Sequence, residues 1–229
     1  MTPSPESLRE PLSRSVEDYL KAIHRLSAEG RPASTTQIAE ALAVAPPSVT
    51  GMVKRLSEQG LLAHEPYRGV TLTPLGRREA MRVIRRHRLI ESYLVAFLGY
   101  RWDDVHDEAE RLEHAVSDAL VDRMAAALGH PAVDPHGDPI PDARGDLHRQ
   151  PLLPVAVMPV GATGIVRRVA TNDAERLRWF AGAGLVPGAR VRVGGASMEG
   201  AARRVELDGR EAEIPDQLAR LLECELVRE

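Results

Sequence analysis

The sequence predicts a mainly helical protein with a small β domain toward its C-terminal end. Apolar residues recur at helical spacing over much of residues 15–128, whereas short strand-like runs dominate after residue 155. Prolines accumulate between these regions, over residues 130–154, and predict a linker. The 229 residues are enough for two or three small domains. The predicted domains are residues 1–76, 77–143 and 155–229, with residues 144–154 as the linker between the last two.

The composition indicates a folded globular protein and excludes several other classes of protein. Hydrophobic residues make up 43% and charged residues 28% of the chain, which is typical of a folded globular protein. No apolar run is long enough for a transmembrane helix and no secretory signal is present, so we expect no membrane association. One cysteine, Cys224, excludes an intrachain disulfide and a thiolate metal cluster, and it favours a cytoplasmic location.

The N-terminal region begins with a proline-containing segment, residues 1–14, which we interpret as a flexible arm. A first helix follows, with Ser15 as the expected N-cap and Gly30 as the stop. Its apolar residues form one stripe, and Asp18 lies about 160° from the centre of that stripe on a helical wheel. Asp18 should therefore point away from the core that its own helix helps to form.

Residues 35–73 carry the pattern of a winged helix-turn-helix. In order, the predicted elements are a second helix from Thr35 or Thr36, a tight stretch at residues 44–47, a third helix over Ser48–Gln59, and strand-like runs at Leu61–His64 and Val70–Thr73. The prolines of the tight stretch suit the first turn of the third helix. Two helices joined by a short turn and followed by a hairpin are the elements of this DNA-binding fold.

The third helix and the wing between the two strands supply most candidate DNA contacts. Small side chains in the first turn of this helix allow close approach to the major groove, and basic side chains can reach phosphates. Residues 1–76 nevertheless hold eight basic and eight acidic residues, so a winged helix that binds protein stays open as an alternative. The predicted DNA-binding residues are Thr36, Pro47, Ser48, Thr50, Gly51, Lys54, Arg55 and Arg68.

Two long helices are predicted next, from Pro74 to Gly99 and from Asp103 to Leu128. Both carry ligand-type residues at helical spacing: His87 and Glu91 on the first, and His106, Glu110, Glu113 and His114 on the second. The second set lies beside an apolar stripe that runs from Val105 to Leu120. Antiparallel packing would bring these imidazoles and carboxylates together, a donor set suited to Mn(II), Fe(II), Zn(II), Co(II) or Ni(II). Solvated or hydrogen-bonded His–Glu pairs are the alternative interpretation.

The distribution of charge agrees with a metal site in this region. Residues 77–143 hold thirteen acidic and nine basic residues, so the acidic excess behind the net charge of −3 lies here. Bound divalent ions would offset that excess. The other histidines have no such partners in the sequence pattern, and we interpret them as structural or solvated. They are His24, His64, His130, His136 and His148.

The C-terminal region has the pattern of a small barrel. Its strand-like runs alternate with turn residues, and Asp208-Gly209 is a hairpin turn signal. Residues 173–182 predict a short helix inserted among the strands. The predicted strands are Val155–Val157, Gly164–Val166, Ala189–Val193, Arg204–Leu207 and Glu211–Ile214.

Several segments together resemble the family of metal-dependent repressors that contains the diphtheria toxin repressor and the manganese transport regulator. They cover most of residues 15–142 and read SVEDYLKAIHRL, IAEALAVAPPSVTGMVKRLSEQGLL, YRGVTLTPLGR, RRHRLIESYL and VHDEAERLEHAVSDAL, followed by GDPIP. The HxxxE and HxxxExxEH spacings are more distinctive than a generic winged helix. The resemblance implies an N-terminal winged helix-turn-helix, a helical metal-binding and dimerisation domain, and a C-terminal SH3-like (FeoA-like) domain.

The resemblance also implies how the ligands divide between two sites. The implied primary ligands are Asp18, Glu110, Glu113 and His114, with His87 helping or shared, and the implied ancillary ligands are His87, Glu91 and His106, with Asp173 from the SH3-like domain. In the iron-sensing branch, methionine typically stands at the position of Asp18 and cysteine at that of Glu110. The harder oxygen ligands here favour Mn(II), with Fe(II) second. Lys21 replaces a glutamate of the short manganese regulators, which argues against a binuclear site of their kind.

The expected function is a homodimeric transcriptional repressor that binds palindromic operator DNA when loaded with Mn(II) or Fe(II) and controls metal-ion homeostasis genes. Repulsion between the carboxylates without metal, and its relief by a divalent ion, would bias the orientation of the DNA-binding domains. Two alternatives stay open. One is a winged-helix regulator that senses an organic ligand and has a structural metal site. The other is a metal-dependent hydrolase, although the sequence contains no HExxH or nucleophile motif.

Overall fold

The computed structural model describes residues 12–27, 31–65, 68–148, 150–196, 202–207 and 209–227. The chain divides into two compact units. The N-terminal unit comprises Met1–Arg85 with Ala143–Asp146, and the second unit comprises Arg86–Asp142 with Leu147–Glu229. The predicted arm lies, up to residue 11, outside the described residues, as do Gly30 and Asp208.

The N-terminal unit is a winged helix-turn-helix, as the sequence predicts. Its elements are α1 (Arg14–Leu26), α2 (Thr35–Leu42), α3 (Pro46–Glu58), β1 (Leu62–Glu65), β2 (Gly69–Leu72) and the first part of α4 (Pro74–Leu98). The strands β1 and β2 pair antiparallel, with Leu62 opposite Leu72. Side chains of all three helices and both strands form one apolar core, in which Leu20, Ile38 and Leu56 are fully buried.

Helix ends in this unit differ from the predictions by one or two residues. The N-cap of α1 is Ser13 rather than Ser15. Ser34 caps α2 in a capping box, in which its hydroxyl accepts from the Gln37 amide and the Gln37 side chain accepts from the Ser34 amide. Helix α3 begins at Pro46, two residues earlier than predicted, because prolines are tolerated in the first turn of a helix.

The second unit begins with the rest of α4, which packs with α5 (His106–Leu112) and α6 (Asp118–Ala127). The prediction of one helix over Asp103–Leu128 is wrong, because residues 113–117 interrupt it. The Ser117 hydroxyl accepts from the Leu120 amide and starts α6 as a separate helix. The predicted apolar stripe therefore ends early, and Leu120 is 43% exposed.

The prolines of residues 130–154 predict a linker, and for residues 130–142, which the predicted domain 77–143 includes, that linker prediction is wrong. Asp134, His136 and Asp138 are buried in this segment, and the Val169 amide donates to the His136 carbonyl. The backbone at Gly137 has φ +86° and approaches β4 so closely that a Cβ atom would lie 1.8 Å from the Arg167 carbonyl oxygen. The proline-containing segment is part of the folded unit.

The rest of the second unit is the β domain. Its elements are β3 (Leu153–Pro154), a 3-10 helix (Val155–Val157), β4 (Thr163–Val169), α7 (Ala174–Gly182), β5 (Arg190–Ala196), β6 (Ala202–Leu207), β7 (Arg210–Pro215), α8 (Asp216–Ala219) and β8 (Leu222–Leu226). The strands form an antiparallel sheet in the order β3-β8-β4-β5-β6-β7 around a core that includes Phe180.

One predicted strand in this domain is absent. Val155–Val157 form a 3-10 helix, in which the Met158 amide donates to the Val155 carbonyl, so the short strand β3 ends at Pro154. The other four predicted strands and the inserted helix are confirmed with shifted ends. Among the described residues, no helix combines the length and the hydropathy needed to cross a membrane.

Candidate metal centre

Helix α4 supplies the first two ligand-type residues of the centre. His87 and Glu91 lie one turn apart on its inward face, and both are almost fully buried. His87 Nε2 lies 2.9 Å from Glu91 Oε1. The spacing of four residues thus produces the contact that the sequence predicts.

Helix α5 brings a second imidazole to the same place. His106, its first residue, has Nδ1 3.0 Å from Glu91 Oε1 and 3.0 Å from His87 Nε2. One carboxylate oxygen and two ring nitrogens therefore form a triangle with edges near 3 Å. One turn further along, Glu110 Oε1 lies 3.6 Å from His106 Nε2. Ligand atoms of His87, His106 and Glu110 all fall within 4.8 Å of one another.

The turn that ends α5 supplies two more ligand-type residues. Glu113 is fully buried, and its Oε2 lies 2.5 Å from His87 Nδ1. His114 Nε2 lies 3.3 Å from Glu113 Oε1. Arg86 holds this turn, since its Nη1 donates to the Glu113 carbonyl and its Nε donates to the Asp118 carboxylate at 3.1 Å. The interruption between α5 and α6 therefore begins at these two residues, and Arg86 of α4 holds it in place.

The Glu91 carboxylate is the electrostatic centre of the group. Burial raises its pKa, but hydrogen bonds from three surrounding imidazoles outweigh burial, and the pKa lies well below its usual value. A buried carboxylate that stays ionised among imidazoles needs positive charge near it. Either a protonated ring or a metal ion can supply that charge, and metal binding at such ligands releases protons.

Two residues near Glu91 were missed by the sequence analysis. His136, which we interpreted as structural or solvated, is 1% exposed, and its Nδ1 lies 3.7 Å from Glu91 Oε2. Burial lowers the pKa of His136, whereas hydrogen bonding and the charge of Glu91 raise it, and the net shift is upward. Asp134 joins them in a second group whose ligand atoms lie within 4.8 Å of one another. Burial and the charge of Asp138 raise the pKa of Asp134 to about 7.

The signal that could have identified these residues is the motif Asp-Pro-His-Gly-Asp-Pro at residues 134–139, which concentrates ligand-type side chains in one tight turn. The β domain also contacts the cluster of ligand-type residues. Asn172 Nδ2 lies 3.4 Å from His106 Nε2. Nothing in its sequence context distinguishes Asn172 from an ordinary loop residue.

Two predicted ligands have other surroundings within their own units. Asp18 lies on α1 with its side chain one-third exposed, and its Oδ2 is 4.0 Å from Arg14 Nε. Asp173, the residue predicted to come from the β domain, caps α7, where its side chain accepts from the Arg176 amide at 2.9 Å. Their roles as ligands stay predictions.

The predicted DNA-binding residues form an exposed surface on the N-terminal unit. All eight are solvent-exposed: Thr36, Pro47, Ser48, Thr50, Gly51, Lys54, Arg55 and Arg68. A Cβ atom at Gly51 would meet nothing within 4 Å, so the backbone of α3 is open to close approach there. The adjacent buried residues Val49 and Val53 fix the helix to the core and leave this face outward.

Comparisons with known proteins match all three parts of the chain. Residues 11–70 match the family described as iron dependent repressor, N-terminal DNA binding domain. Residues 73–142 match iron dependent repressor, metal binding and dimerisation domain. Residues 153–226 match the FeoA domain.

Individual relatives agree with these matches. The chain is 32% identical over 226 residues to the iron-dependent repressor IdeR of Mycobacterium tuberculosis, covering 93% of this chain and 97% of that protein. It is 40% identical over 111 residues to the regulator MntR of Lysinibacillus sphaericus, covering 48% of this chain and 79% of that protein. It also resembles a solved manganese-dependent transcriptional repressor in complex with manganese, with a TM-score of 0.85, 40% identity, and coverage of 93% of this chain and 100% of that one.

Proposed function

The chain belongs to the family of metal-dependent transcriptional repressors that includes the diphtheria toxin repressor, IdeR and MntR, and we propose that it binds palindromic operator DNA as a homodimer when loaded with Mn(II) or Fe(II). Members of this family are DNA-binding regulators, not enzymes, so the hydrolase alternative is abandoned. The proposed targets are genes of metal-ion homeostasis, and the proposed location is the cytoplasm.

The observation that supports metal dependence is the convergence of six predicted ligand-type residues in the second unit. They are His87, Glu91, His106, Glu110, Glu113 and His114. Three carboxylates converge with three imidazoles, and two of the carboxylates are buried. Burying carboxylates at such separations is costly unless cations or protons compensate them. The donor chemistry therefore fits a divalent ion, which supplies the compensating positive charge when bound.

Oxygen donors at two positions favour manganese. Asp18 and Glu110 both offer carboxylate oxygens, and carboxylate ligands suit Mn(II) better than softer ligands do. Fe(II) is the second candidate, because imidazole and carboxylate ligands also bind iron. Other divalent transition metals are expected to bind in vitro.

The proposed link to DNA binding uses Asp18. Asp18 belongs to the winged helix-turn-helix, whereas Glu110, Glu113 and His114 belong to the second unit. By resemblance to the family, we infer that these four residues are ligands of one ion. Shared ligation of this kind would bias the DNA-binding helices toward one orientation, and operator binding would report that population shift.

The proposed dimer uses the apolar side chains at the end of α4 and on α6. Large hydrophobic side chains are exposed there: Phe97 at 53%, Leu98 at 60%, Tyr100 at 38% and Leu120 at 43%. Exposed large apolar side chains of this kind are candidates for an interaction site. A two-fold dimer would present two copies of α3 to a palindromic operator.

Binding to selected DNA tests the proposal. Duplexes enriched from a random pool in the presence of Mn(II) should contain a palindrome, and fluorescence anisotropy should show that binding is lost on addition of EDTA. The measurement is repeated anaerobically with Fe(II) to rank the two metals. Operator affinity that is unchanged by EDTA contradicts the proposal.

Asp18→Ala separates metal sensing from folding. Asp18 is partly exposed, so this variant should retain the dimer in sedimentation experiments while losing metal-dependent DNA binding. Thermal stabilisation by Mn(II) or Fe(II), and not by small organic molecules, distinguishes the proposed regulator from one that senses an organic ligand. Asp18→Ala with wild-type metal dependence would refute the role of this residue.

A further inference from the structure

Arg168 reaches out of the β domain toward the segment that contains His136. It lies on β4, directly after a β-bulge between Val166 and Arg168, and bulges redirect the side chains that follow them. Arg168 Nε lies 2.8 Å from Asp138 Oδ1, and its Nη1 lies 3.3 Å from Glu223 Oε2 on β8. The Asp138 side chain is only 12% exposed, so solvent screens this pair weakly.

Asp138 also contacts a second guanidinium, which comes from α4. Arg88 Nη2 lies 3.4 Å from Asp138 Oδ1, and Arg88 Nε lies 3.5 Å from Asp134 Oδ2. Arg88 further donates from Nη1 to the Pro139 carbonyl. Because Arg88 directly follows His87 and precedes Glu91 by less than one turn, the charge network adjoins the metal cluster.

Arg88 and Arg168 contact the loop of residues 134–138 from two sides, and hydrogen bonds hold this loop in place. Asp134 Oδ1 accepts from the backbone amides of His136 at 2.8 Å and Asp138 at 2.9 Å. The His136 carbonyl accepts from the Val169 amide at 2.9 Å. Gly137 has no room for a Cβ atom against β4. These contacts tie the loop to β4 and define its internal conformation.

That position determines where His136 lies. Its Nε2 donates to the Trp102 carbonyl at 2.6 Å, which directs Nδ1 toward Glu91 Oε2 at 3.7 Å. A histidine held in this way orients a carboxylate of the cluster. Groups that orient metal ligands typically change metal affinity about 10–100-fold when they are removed.

We propose that Arg168 is a positioning residue for the metal cluster, and that it acts through Asp138 on the 134–138 loop, which contacts Arg88 of α4 and holds His136 against the helix carrying His87 and Glu91. The proposal rests on the metal-dependent function proposed above. It gives the β domain a role as the rigid support of the cluster, separate from any ligand it supplies directly.

The neighbouring residue Arg167 provides a matched control. It is on the same strand and pairs with a carboxylate on β8, since its Nε lies 2.8 Å from Glu225 Oε2. Both side chains of this pair are about half exposed, and the loop approaches Arg167 at its backbone carbonyl, which a side-chain substitution leaves in place. Arg167→Gln therefore removes the same charge and a similar ion pair without touching the 134–138 loop.

Two measurements on the full-length chain test the proposal. Calorimetric titration with Mn(II) should show binding about tenfold weaker in Arg168→Gln, in line with the loss of an orienting group, and unchanged in Arg167→Gln. Hydrogen exchange of the Val169 amide, measured without metal, should be faster in Arg168→Gln than in the wild type, because that amide reports how firmly the loop is held. Asp138→Asn should reproduce both effects, and it provides the same test if Arg168→Gln does not fold.

The outcomes separate this proposal from the one on which it rests. The proposal would be overturned if Arg168→Gln and Asp138→Asn both showed faster exchange of the Val169 amide but bound Mn(II) as tightly as the wild type. The network of charges would then be structural only. Equal losses of Mn(II) affinity in Arg167→Gln and Arg168→Gln would also overturn the proposal. A wild-type chain that binds neither Mn(II) nor, under anaerobic conditions, Fe(II) refutes the proposed metal-dependent function instead.

Discussion

The two units of the molecule keep their functional residues in opposite environments. In the N-terminal unit the candidate DNA-binding residues are all exposed, and among its described residues Glu17 is the only charged side chain that is buried. In the second unit three of the candidate ligands, His87, Glu91 and Glu113, are buried, and buried charged groups extend from His87 to Asp138. The apolar clusters around these helices are correspondingly small.

This difference means that function and stability depend on different residues in the N-terminal unit but on the same residues in the second unit. The winged helix can change its DNA-contacting surface without altering its core. The helical layer of the second unit cannot change its ligands without altering its interior, because the ligands occupy the place of core residues. Its stability should therefore depend on the charge that compensates them.

The largest expected change in the free energy of unfolding comes from a substitution in the apolar core of the N-terminal unit. Leu56→Ala deletes a fully buried side chain and should cost about 2–5 kcal/mol of unfolding free energy. The loss should be the same with and without Mn(II). Hydrogen exchange of peptides from α2 and α3 measures it at fixed protein concentration. A loss that Mn(II) largely reverses would contradict the separation of the two units.

The next effect is the dependence of the second unit on metal. Mn(II) at one hundred times its dissociation constant should stabilise this unit by about 2.7 kcal/mol. Both tryptophans of the chain, Trp102 and Trp179, lie in this unit, so tryptophan emission during urea unfolding reports it selectively. Glu113→Gln should abolish the metal-dependent increment. Retention of the full increment in that variant would remove Glu113 from the ligand set.

A smaller effect is expected at the start of α2. Ser34→Ala removes the side-chain acceptor of the capping box and should cost about 1 kcal/mol. Because α2 belongs to the apolar N-terminal unit, the cost should not change with Mn(II). Thermal denaturation followed by far-ultraviolet circular dichroism, with and without the metal, checks both statements.

The smallest effect on stability is expected at the DNA-binding surface. Lys54 is exposed on α3, and Lys54→Ala should change the unfolding free energy by less than about 0.5 kcal/mol. Operator binding should nevertheless weaken, and the slope of log affinity against log salt concentration should fall by about one, because one phosphate contact is lost. Anisotropy titrations at several salt concentrations measure this slope. An unchanged slope would place Lys54 outside the interface.

Sequence periodicity predicted those parts of the fold that depend on local interactions. The winged helix-turn-helix follows from caps, prolines and apolar spacing within about sixty residues of chain. The His87–Glu91 contact follows from the helical repeat alone. The interruption at residues 113–117 was missed, because the helical apolar pattern continues through it, although Ser117 offered the signal of a new N-cap.

By itself, therefore, the sequence determined the helices, most of the strands, the exposed face of α3 and the identity of six ligand-type residues, since each depends on neighbours within a few turns. Only the tertiary structure decided that the 134–138 loop, read as linker, enters the interior and presents His136 to Glu91. Contacts between residues 45 positions apart leave no local pattern. They form because, in the folded unit, Asp138 pairs with both Arg88 and Arg168, and Arg88 also contacts Asp134.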